Sequence, residues 1–255
     1  MRKEENVYLG AYWKNRQIVA REFIKLCYEF MTRLRRFSSA FDHQCVAVGD
    51  LPNVEPLLVP KDYFSFEKLM LRAVPNSKRI YTNPDATNRG FTLDSTYVSG
   101  FSIAFSDLGQ KGIPATNLGS YVSAGRDDAK FSRPNSVLIE IPAEYRQFWD
   151  NTQRAKELLE LVVSTWKPAF ATLTSSELEQ ALNPHKGVLP CPGRLAYFAD
   201  ERVGPAANST ANVEYASKGG VFLDIDAPYP WAASVDRFKP CYARLSNAGL
   251  LQWPT

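Results

Sequence analysis

QIVAREFIKLCYEFMTRLRRFSSAF, at residues 17–41, has the apolar periodicity of an amphipathic helix. Seven apolar side chains recur at intervals of three or four residues, which places them on one helix face: Val19, Phe23, Leu26, Phe30, Leu34, Phe37 and Phe41. Burying each of them stabilises the fold by about 1.5–3 kcal/mol, so we expect this helix to be a main element of the core.

Strand-like stretches precede and follow this helix. The aromatic segment Val7–Trp13 is short and predicts a first strand. Residues 96–106, 117–124 and 136–141 predict three more, because apolar side chains alternate along the first and the last of them. The connections between these three strands are too short for crossover helices, so we expect them to be antiparallel.

The C-terminal half continues with both kinds of element. A helix is predicted from Asp150 or Asn151 to Trp166, and further segments are predicted as a short helix at 175–182, strands at 169–173, 195–199 and 220–225, and a last helix at 234–250 interrupted by Pro240. The pattern contains no internal repeat or linker. We therefore predict a single α/β (α+β-like) domain over residues 1–255, with a central mixed, largely antiparallel sheet flanked by helices.

The charge of the chain argues against a dedicated nucleic-acid binder. Lys and Arg number 30 and Asp and Glu number 27, which leaves a net charge of only +3. The charge is unevenly distributed, with a net +5 over residues 1–36 and a net −4 over residues 137–226. No stretch approaches the roughly 20 apolar residues that a membrane span needs. The four cysteines show no metal-type or disulfide-type spacing. We expect a cytoplasmic protein with reduced thiols and no membrane contact.

A search for catalytic or metal-binding patterns gives little. The sequence has two histidines, His43 and His185. Asp42, His43 and Cys45 resemble half of a metal site, but no second cluster completes it. His185 has no accompanying nucleophile motif. We predict no catalytic residue, no resident metal and no cofactor.

Two other interpretations remain open. Asp224, Asp226 and Glu140 lie on predicted strands, and together they would suit a metal-dependent hydrolase. The cluster of Arg33, Arg35 and Arg36 would suit a nucleic-acid-binding module. A solvated strand end is the favoured explanation of the first set, and a helix C-terminus is the favoured explanation of the second, because its dipole favours cations.

Several segments resemble the immunity protein 52 family, cytoplasmic antitoxins of bacterial polymorphic-toxin and type VI secretion systems. The aromatic opening at residues 8–16 is similar to the family's start, and residues 135–142 resemble its mid-chain strand. Trp166-Lys-Pro168 is similar to its W-x-P element, and residues 219–224 resemble its late glycine-led strand. Residues 193–198 resemble its G-W-x-x-Y strand, with Arg194 in place of the usual Trp.

The resemblance implies an inhibitor, not an enzyme. Its partner would be a cognate secreted toxin, for this family usually a restriction-endonuclease-like DNase. Such a nuclease presents a basic cleft to DNA, so an inhibitor gains specificity by presenting carboxylates. Inhibition by covering the cleft and inhibition by wedging the toxin out of its active conformation both remain open. The candidate partner-binding residues are acids of the net-negative segment and two aromatics in a loop: Glu144, Asp150, Glu177, Glu179, Asp200, Glu201, Glu214, Tyr229 and Trp231. The two aromatics would be exposed anchors in this role, and packing against the C-terminal helix explains them equally well.

Overall fold

A computed structural model describes residues 4–46, 56–74, 92–96, 99–107, 118–126, 134–183, 190–217 and 219–251. The chain divides into two compact units. Unit 1 combines residues 1–14 with residues 140–255, and unit 2 is the continuous segment 15–139. The prediction that 1–255 is one domain stays a prediction.

Ten strands and seven α-helices form in the described residues. The strands are β1 Val7–Trp13, β2 Cys45–Val46, β3 Leu57–Leu58, β4 Ser99–Ser106, β5 Gly119–Arg126, β6 Asn135–Glu140, β7 Phe170–Ser175, β8 Leu195–Phe198, β9 Asn212–Tyr215 and β10 Val221–Asp224. The helices are α1 Ala20–Phe37, α2 Tyr63–Ala73, α3 Gln147–Asp150, α4 Thr152–Trp166, α5 Ser176–Leu182, α6 Val203–Ala207 and α7 Val235–Asn247. Every register defined by the described residues is antiparallel, which confirms the predicted fold class of a largely antiparallel sheet with flanking helices.

The strands of unit 1 follow the order β1-β7-β8-β10-β9. Residues directly opposite each other in an antiparallel pair share a sheet face, so the register assigns each side chain to a face. Leu9 pairs with Leu173, and both point to one face together with Trp13. Tyr8 pairs with Thr174 on the opposite face.

Helix α4 packs on the Leu9 face. It begins at Asn151, whose side chain accepts a hydrogen bond from the backbone N–H of Arg154 at 3.1 Å, as in a standard N-cap. At its other end Trp166 stacks on Trp13, with ring centroids 5.5 Å apart. The helix ends at Lys167, which has a left-handed backbone and precedes Pro168.

The Tyr8 face carries three further helices, α5, α6 and α7. Ser175 caps α5 by accepting a hydrogen bond from the backbone N–H of Leu178 at 3.1 Å. Helices α5 and α6 both pack against α7, whose buried side is formed by Phe238, Cys241 and Leu245. The sheet of unit 1 is therefore covered by helices on both faces.

Unit 2 has the strand order β3-β2-β4-β5-β6, with α1 and α2 against one face. Phe23 of α1 stacks on Phe101 of β4 at 5.2 Å, and Phe66 of α2 stacks on Phe105 at 6.4 Å. On the other face of β4, Ala104 is exposed. Among the described residues, the helices of unit 2 thus cover one face of its sheet.

Three sequence expectations need correction. The buried stripe of α1 is rotated from the predicted one: Phe23, Phe30 and Leu34 are buried as expected, but Val19 is 38% exposed. Phe41 is buried in a 3-10 turn after the helix has ended, not on the helix. The last helix continues through Pro240, which lies inside α7.

Candidate functional site

All nine predicted partner-binding residues lie in unit 1, but the structure does not gather them into one acidic surface. Glu144 and Asp150 are exposed near α3, and Asp150 is paired with Arg146 of the same segment. Arg146 also lies 5.2 Å from the ring centroid of Tyr229, which is half-buried. The Asp150 charge is therefore largely balanced within the protein.

The expectation that Trp231 is an exposed anchor is wrong. Its side chain is only 2% exposed. The backbone N–H groups of Trp231 and Ala232 donate to the carboxylate of Glu5, at 3.1 and 2.7 Å, and the Ser175 hydroxyl donates to the same carboxylate at 2.7 Å. Trp231 is thus part of the packing that joins the two ends of unit 1.

Three of the predicted acids lie on or beside the β9-β10 hairpin, each with its own partner. Glu214 lies on β9, and Glu201 accepts a hydrogen bond from the backbone N–H of Gly220 at 3.3 Å. Asp200, next to Glu201, is paired with Arg202 at 2.6 Å. Tyr215, at the end of β9, is 57% exposed. We call Asp200, Glu201, Glu214 and Tyr215 the hairpin rim.

The two acids on α5 have different surroundings. Glu177 accepts hydrogen bonds from the backbone N–H of Asn6 at 2.9 Å and from its side-chain amide at 3.3 Å. Glu179, one half-turn further along the helix, accepts a hydrogen bond from the hydroxyl of Tyr8. Only Glu179 faces a set of titratable side chains on the sheet.

Glu179 belongs to a group of half-buried and buried polar side chains on the Tyr8 face. Tyr8 and Tyr12 of β1 are hydrogen-bonded to each other, and Cys191 lies close enough to Glu179 and Tyr8 for their charges to interact. We call Tyr8, Tyr12, Glu179 and Cys191 the tyrosine–glutamate cluster. Tyr8, Tyr12 and Glu179 are half-buried, so the cluster retains access to solvent.

Burial dominates the electrostatics of this cluster. It raises the pKa of the Glu179 carboxyl, and the hydrogen bond from Tyr8 offsets part of that rise. Burial also raises the pKa of Tyr8, of Tyr12 and of the Cys191 thiol, and negative charge on Glu179 raises each of them further. Cys191 is therefore a protonated thiol at neutral pH and is not an activated nucleophile.

Two glycines shape the cluster. A Cβ at Gly10 would lie 2.6 Å from the Tyr12 hydroxyl, because the Tyr12 ring folds back along β1 over this glycine. A Cβ at Gly193 would lie 2.2 Å from the backbone oxygen of Leu173, so only glycine lets this loop contact β7. The Gly193 N–H donates to the Thr172 hydroxyl at 2.9 Å.

The metal-hydrolase residues do not form a metal site. Asp224 is paired with Arg194, whose guanidinium also donates to the Thr152 hydroxyl at 3.0 Å. Asp226 and Glu140 are exposed. Within the described ranges, no group of three or more His, Cys, Asp or Glu side chains is arranged to hold a metal ion. His43 is exposed and Cys45 is buried, and His185 lies outside the described residues.

The arginines of α1 are partly used within the fold. Arg35 donates to the backbone oxygens of Pro60 and Val59, at 3.0 and 2.5 Å, and burial lowers its pKa. These hydrogen bonds link α1 to the segment before α2, so the Arg35 guanidinium is not available to bind phosphate. Arg33 is half-buried, and Arg36 is exposed.

In the part of the chain that the structure describes, no helix is long and apolar enough to cross a membrane.

Sequence reasoning named Glu179 but missed the residues around it. Tyr8, Gly10 and Tyr12 alternate on one side of a strand, and this i, i+2, i+4 pattern was the available signal. The prediction of an aromatic first strand does not use the face that each side chain occupies. Cys191 and Gly193 lie about 180 residues away, so only the fold brings them together.

The similarity of the chain to a known protein lies in its fold. No family model matches the chain, and no curated protein matches it. Among solved structures, the chain is similar to the Pseudomonas aeruginosa T6SS protein PA0821, with a TM-score of 0.52 and 13% sequence identity. The match covers 98% of this chain and 77% of that chain, and at this identity it shows a shared fold. Membership in the immunity protein 52 family stays a prediction.

Proposed function

We propose that this chain is an immunity protein that binds and neutralises a cognate secreted toxin, a restriction-endonuclease-like DNase effector of a type VI secretion system. The observation that carries the proposal is the similarity in fold, over nearly the whole chain, to a protein described as a T6SS protein. The resemblance of several segments to immunity protein 52 points in the same direction. On this proposal the protein acts in the cytoplasm, by stoichiometric binding and without catalysis.

The hairpin rim supplies a suitable surface for such a partner. It presents the exposed aromatic side chain of Tyr215 and the exposed carboxylate of Glu201, whereas Asp200 and Glu214 are paired with Arg202 and Lys156. Aromatic residues dominate the energetics of protein interfaces, and carboxylates around them complement the basic cleft of a nuclease. Glu214 and Tyr215 of the rim lie on β9, the last strand in the order of unit 1, and an edge strand can pair with a partner through its backbone.

The experiment is a binding assay with the product of the neighbouring open reading frame. We expect a one-to-one complex by calorimetry and loss of that product's DNase activity at equal molar ratio. Raising the salt concentration should slow association, because rim charges act mainly on the association rate. A neighbouring product that has no toxic activity, or one that stays active in the presence of this protein, would contradict the proposal.

A matched pair of variants locates the interface. Tyr215→Ser should weaken toxin binding by about 30-fold or more, as expected for an aromatic residue central to an interface. Phe64→Ser is the control, since Phe64 is 65% exposed on α2 of unit 2 and should leave binding unchanged. If Tyr215→Ser and Phe64→Ser have equal effects on binding, the hairpin rim is not part of the interface. The binding assay alone would then decide the proposed function.

The two alternative functions have their own tests. Metal-dependent turnover that Asp224→Asn abolishes would favour the hydrolase with Asp224, Asp226 and Glu140. Retention of DNA at physiological salt that is lost in Arg36→Ala would favour the nucleic-acid-binding module, because Arg36 is the exposed member of its arginine set.

A further inference from the structure

We infer that the cognate toxin binds this chain by adding an extended segment to strand β9, as a further antiparallel strand of the unit 1 sheet. The inference rests on the proposed function, and it identifies the binding segment of the toxin by its chemistry. That segment carries a lysine or arginine opposite Glu214 and apolar side chains opposite Val213 and Tyr215.

The hydrogen bonds of the β9-β10 hairpin show which backbone groups of β9 point away from β10. The Ala216 N–H donates to the Gly220 oxygen at 3.0 Å, and these two residues continue the β9-β10 register as a directly opposite pair. Opposite residues in an antiparallel pair alternate between hydrogen-bonded and non-hydrogen-bonded pairs, so Glu214 forms the next hydrogen-bonded pair with β10. The N–H and C=O groups of Val213 and Tyr215 therefore point to the outer side of β9.

The other side of β10 gives the same assignment. The Ile225 N–H donates to the Arg194 oxygen at 3.0 Å, and these two residues continue the β8-β10 register. By the same alternation Ile225, Leu223 and Val221 bond to β8. The residues of β10 between them bond to β9, which agrees with the hydrogen-bonded pair formed by Glu214.

The side chains of β9 are exposed on both faces of the sheet. This strand is last in the strand order of unit 1. Glu214 lies on the α4 face with 62% of its side chain exposed, and Tyr215 lies on the opposite face and is 57% exposed. The segment Asn212–Tyr215 contains neither proline nor lysine, which commonly protect an edge strand from pairing. Strand β9 is therefore suited to take up another strand.

The face with Tyr215 favours apolar side chains in the added strand. A Cβ at Gly204 would lie 2.6 Å from the Tyr215 hydroxyl, so the end of the tyrosine ring lies against α6 while more than half of the residue stays exposed. Val213 is half-buried on the same face. Side chains directly opposite each other in an antiparallel pair are in contact, and apolar and aromatic pairs stabilise the sheet.

The other face favours a cation at the central position. Both oxygens of Glu214 lie 2.6 Å from the ammonium of Lys156, which also lies 3.9 Å from a carboxylate oxygen of Glu160. Two carboxylates thus share one ammonium, and an ionised carboxylate can accept about four hydrogen bonds. A lysine or arginine opposite Glu214 would complete an opposite-charge pair across the strands, which is stabilising.

A second copy of this chain fits the edge less well. An antiparallel self-pairing that uses the outward groups of both residues places Val213 of each copy opposite Tyr215 of the other. Glu214 then lies opposite Glu214 of the second copy, and like charges directly opposite each other are destabilising. The edge is therefore suited to a different chain that presents a cation at this position.

The test is amide hydrogen exchange, measured by NMR on the full chain, free and saturated with the product of the neighbouring open reading frame. We expect the Val213 and Tyr215 amides to exchange at least about tenfold more slowly in the complex, because the added strand supplies carbonyl acceptors for them. The Glu214 amide, which bonds to β10, is the internal reference and should be protected in both states. Protection that alternates along β9 distinguishes strand pairing from general coverage of the surface.

Two substitutions at one position separate backbone pairing from side-chain contact. Val213→Pro removes an outward N–H, at a position where an edge strand tolerates proline, and should weaken toxin binding at least about 30-fold. Val213→Ala keeps the N–H and should weaken binding by less than about fivefold. Equal losses in the two variants would contradict backbone pairing.

A pair of charge reversals tests the central position. Glu214→Lys should weaken toxin binding at least about tenfold, because it opposes the cation of the added strand. Asp236→Lys makes the same change of charge at the start of α7 and should leave binding unchanged. Equal effects of the two reversals would mean that charge acts only at long range, which would contradict the pairing at Glu214.

The exchange measurement uses the unaltered protein, so it does not depend on the folding of any variant. A saturated complex in which the Val213 and Tyr215 amides exchange as in the free protein would overturn the inference and leave the proposed function standing. Absence of any complex would overturn the proposed function and this inference with it. Protection of the two amides at high concentration of this protein alone would identify a second copy as the added strand, and the inference would be wrong.

Discussion

The carboxylates on the two faces of the unit 1 sheet have different kinds of partner. On the face that carries α4, Asp224 is paired with Arg194, and both oxygens of Glu214 lie 2.6 Å from the ammonium of Lys156. On the face that carries α5, Glu179 meets tyrosine hydroxyls. On the first face each of these two carboxylates is paired with a cation, and the Lys156–Glu214 pair joins α4 to the sheet. Among the described residues, the second face places no cation beside Glu179.

The largest expected loss of stability comes from Gly193, in the loop that contacts β7 on the Tyr8 face of the sheet. Gly193→Ala should destabilise the protein by about 3 kcal/mol, because the new Cβ would collide with the backbone of β7, which cannot move aside cheaply. Gly10→Ala is the matched change, and it should cost less than Gly193→Ala, since its Cβ meets the ring and hydroxyl of the Tyr12 side chain and no backbone atom is among its nearest contacts. Urea denaturation measures both. Equal costs would show that the loop does not depend on its close contact with β7.

The ion pair on the first face should rank next. Arg194→Met should cost about 2–3 kcal/mol, because it leaves Asp224 with 28% side-chain exposure and no counter-charge. The double variant Arg194→Met with Asp224→Leu should recover most of that loss, since an apolar pair has no charge to desolvate. If the double variant were as unstable as the single one, the pair would not be the source of the effect.

Glu179→Gln should increase the free energy of unfolding at neutral pH, unlike the substitutions above, which lower it. A carboxyl whose pKa is raised on folding contributes stability below its unfolded value of about 4.3, and that contribution is lost as the pH rises through the raised value. The Gln variant should therefore gain stability relative to the unaltered protein between pH values of about 4 and 7, by about 1 kcal/mol or less. Urea denaturation at several pH values would reveal it. If the difference in free energy of unfolding between the Gln variant and the unaltered protein stays constant with pH, the pKa of Glu179 is not raised.

The smallest effect should come from Lys156. Lys156→Met removes a pair in which the Glu214 side chain is 62% exposed, so we expect a cost of about 0.5 kcal/mol, reduced further by added salt. Thermal denaturation at low and high salt would measure it. A cost as large as that of Arg194→Met would mean that exposure does not separate the two ion pairs.

Much of the fold could be predicted from local pattern. The bounds of β1 match the prediction exactly at both ends, and α4 begins at the predicted Asn151 cap and ends at Trp166. The errors have physical causes. The seven-residue stripe of α1 was extended through Phe37 to Phe41, whereas the chain leaves the helix at Ser38, whose own hydroxyl caps the next turn. Strand β9 was missed because its side chains are mostly exposed and show no apolar alternation.

The candidate site could be predicted only in part. Arg146 and Arg202 lie four and two residues from Asp150 and Asp200, so these local pairings were visible in the sequence. The pairing of Glu214 with Lys156, 58 residues away, was not. Trp231 was expected at the surface because it follows two prolines and a tyrosine in a loop, yet its backbone is held by Glu5 from the start of the chain. Contacts over such separations leave no local trace in the sequence.

The contact between Glu5 and Trp231 joins residues that are 226 positions apart, and it has a consequence for synthesis on the ribosome. Unit 2 is continuous and has all of its strands available once residue 139 has emerged. Strand β1 is made before its partner β7 and the Trp231 segment, which lie far along the chain from it. The aromatic segment VYLGAYW therefore remains without these contacts until the later segments have been made.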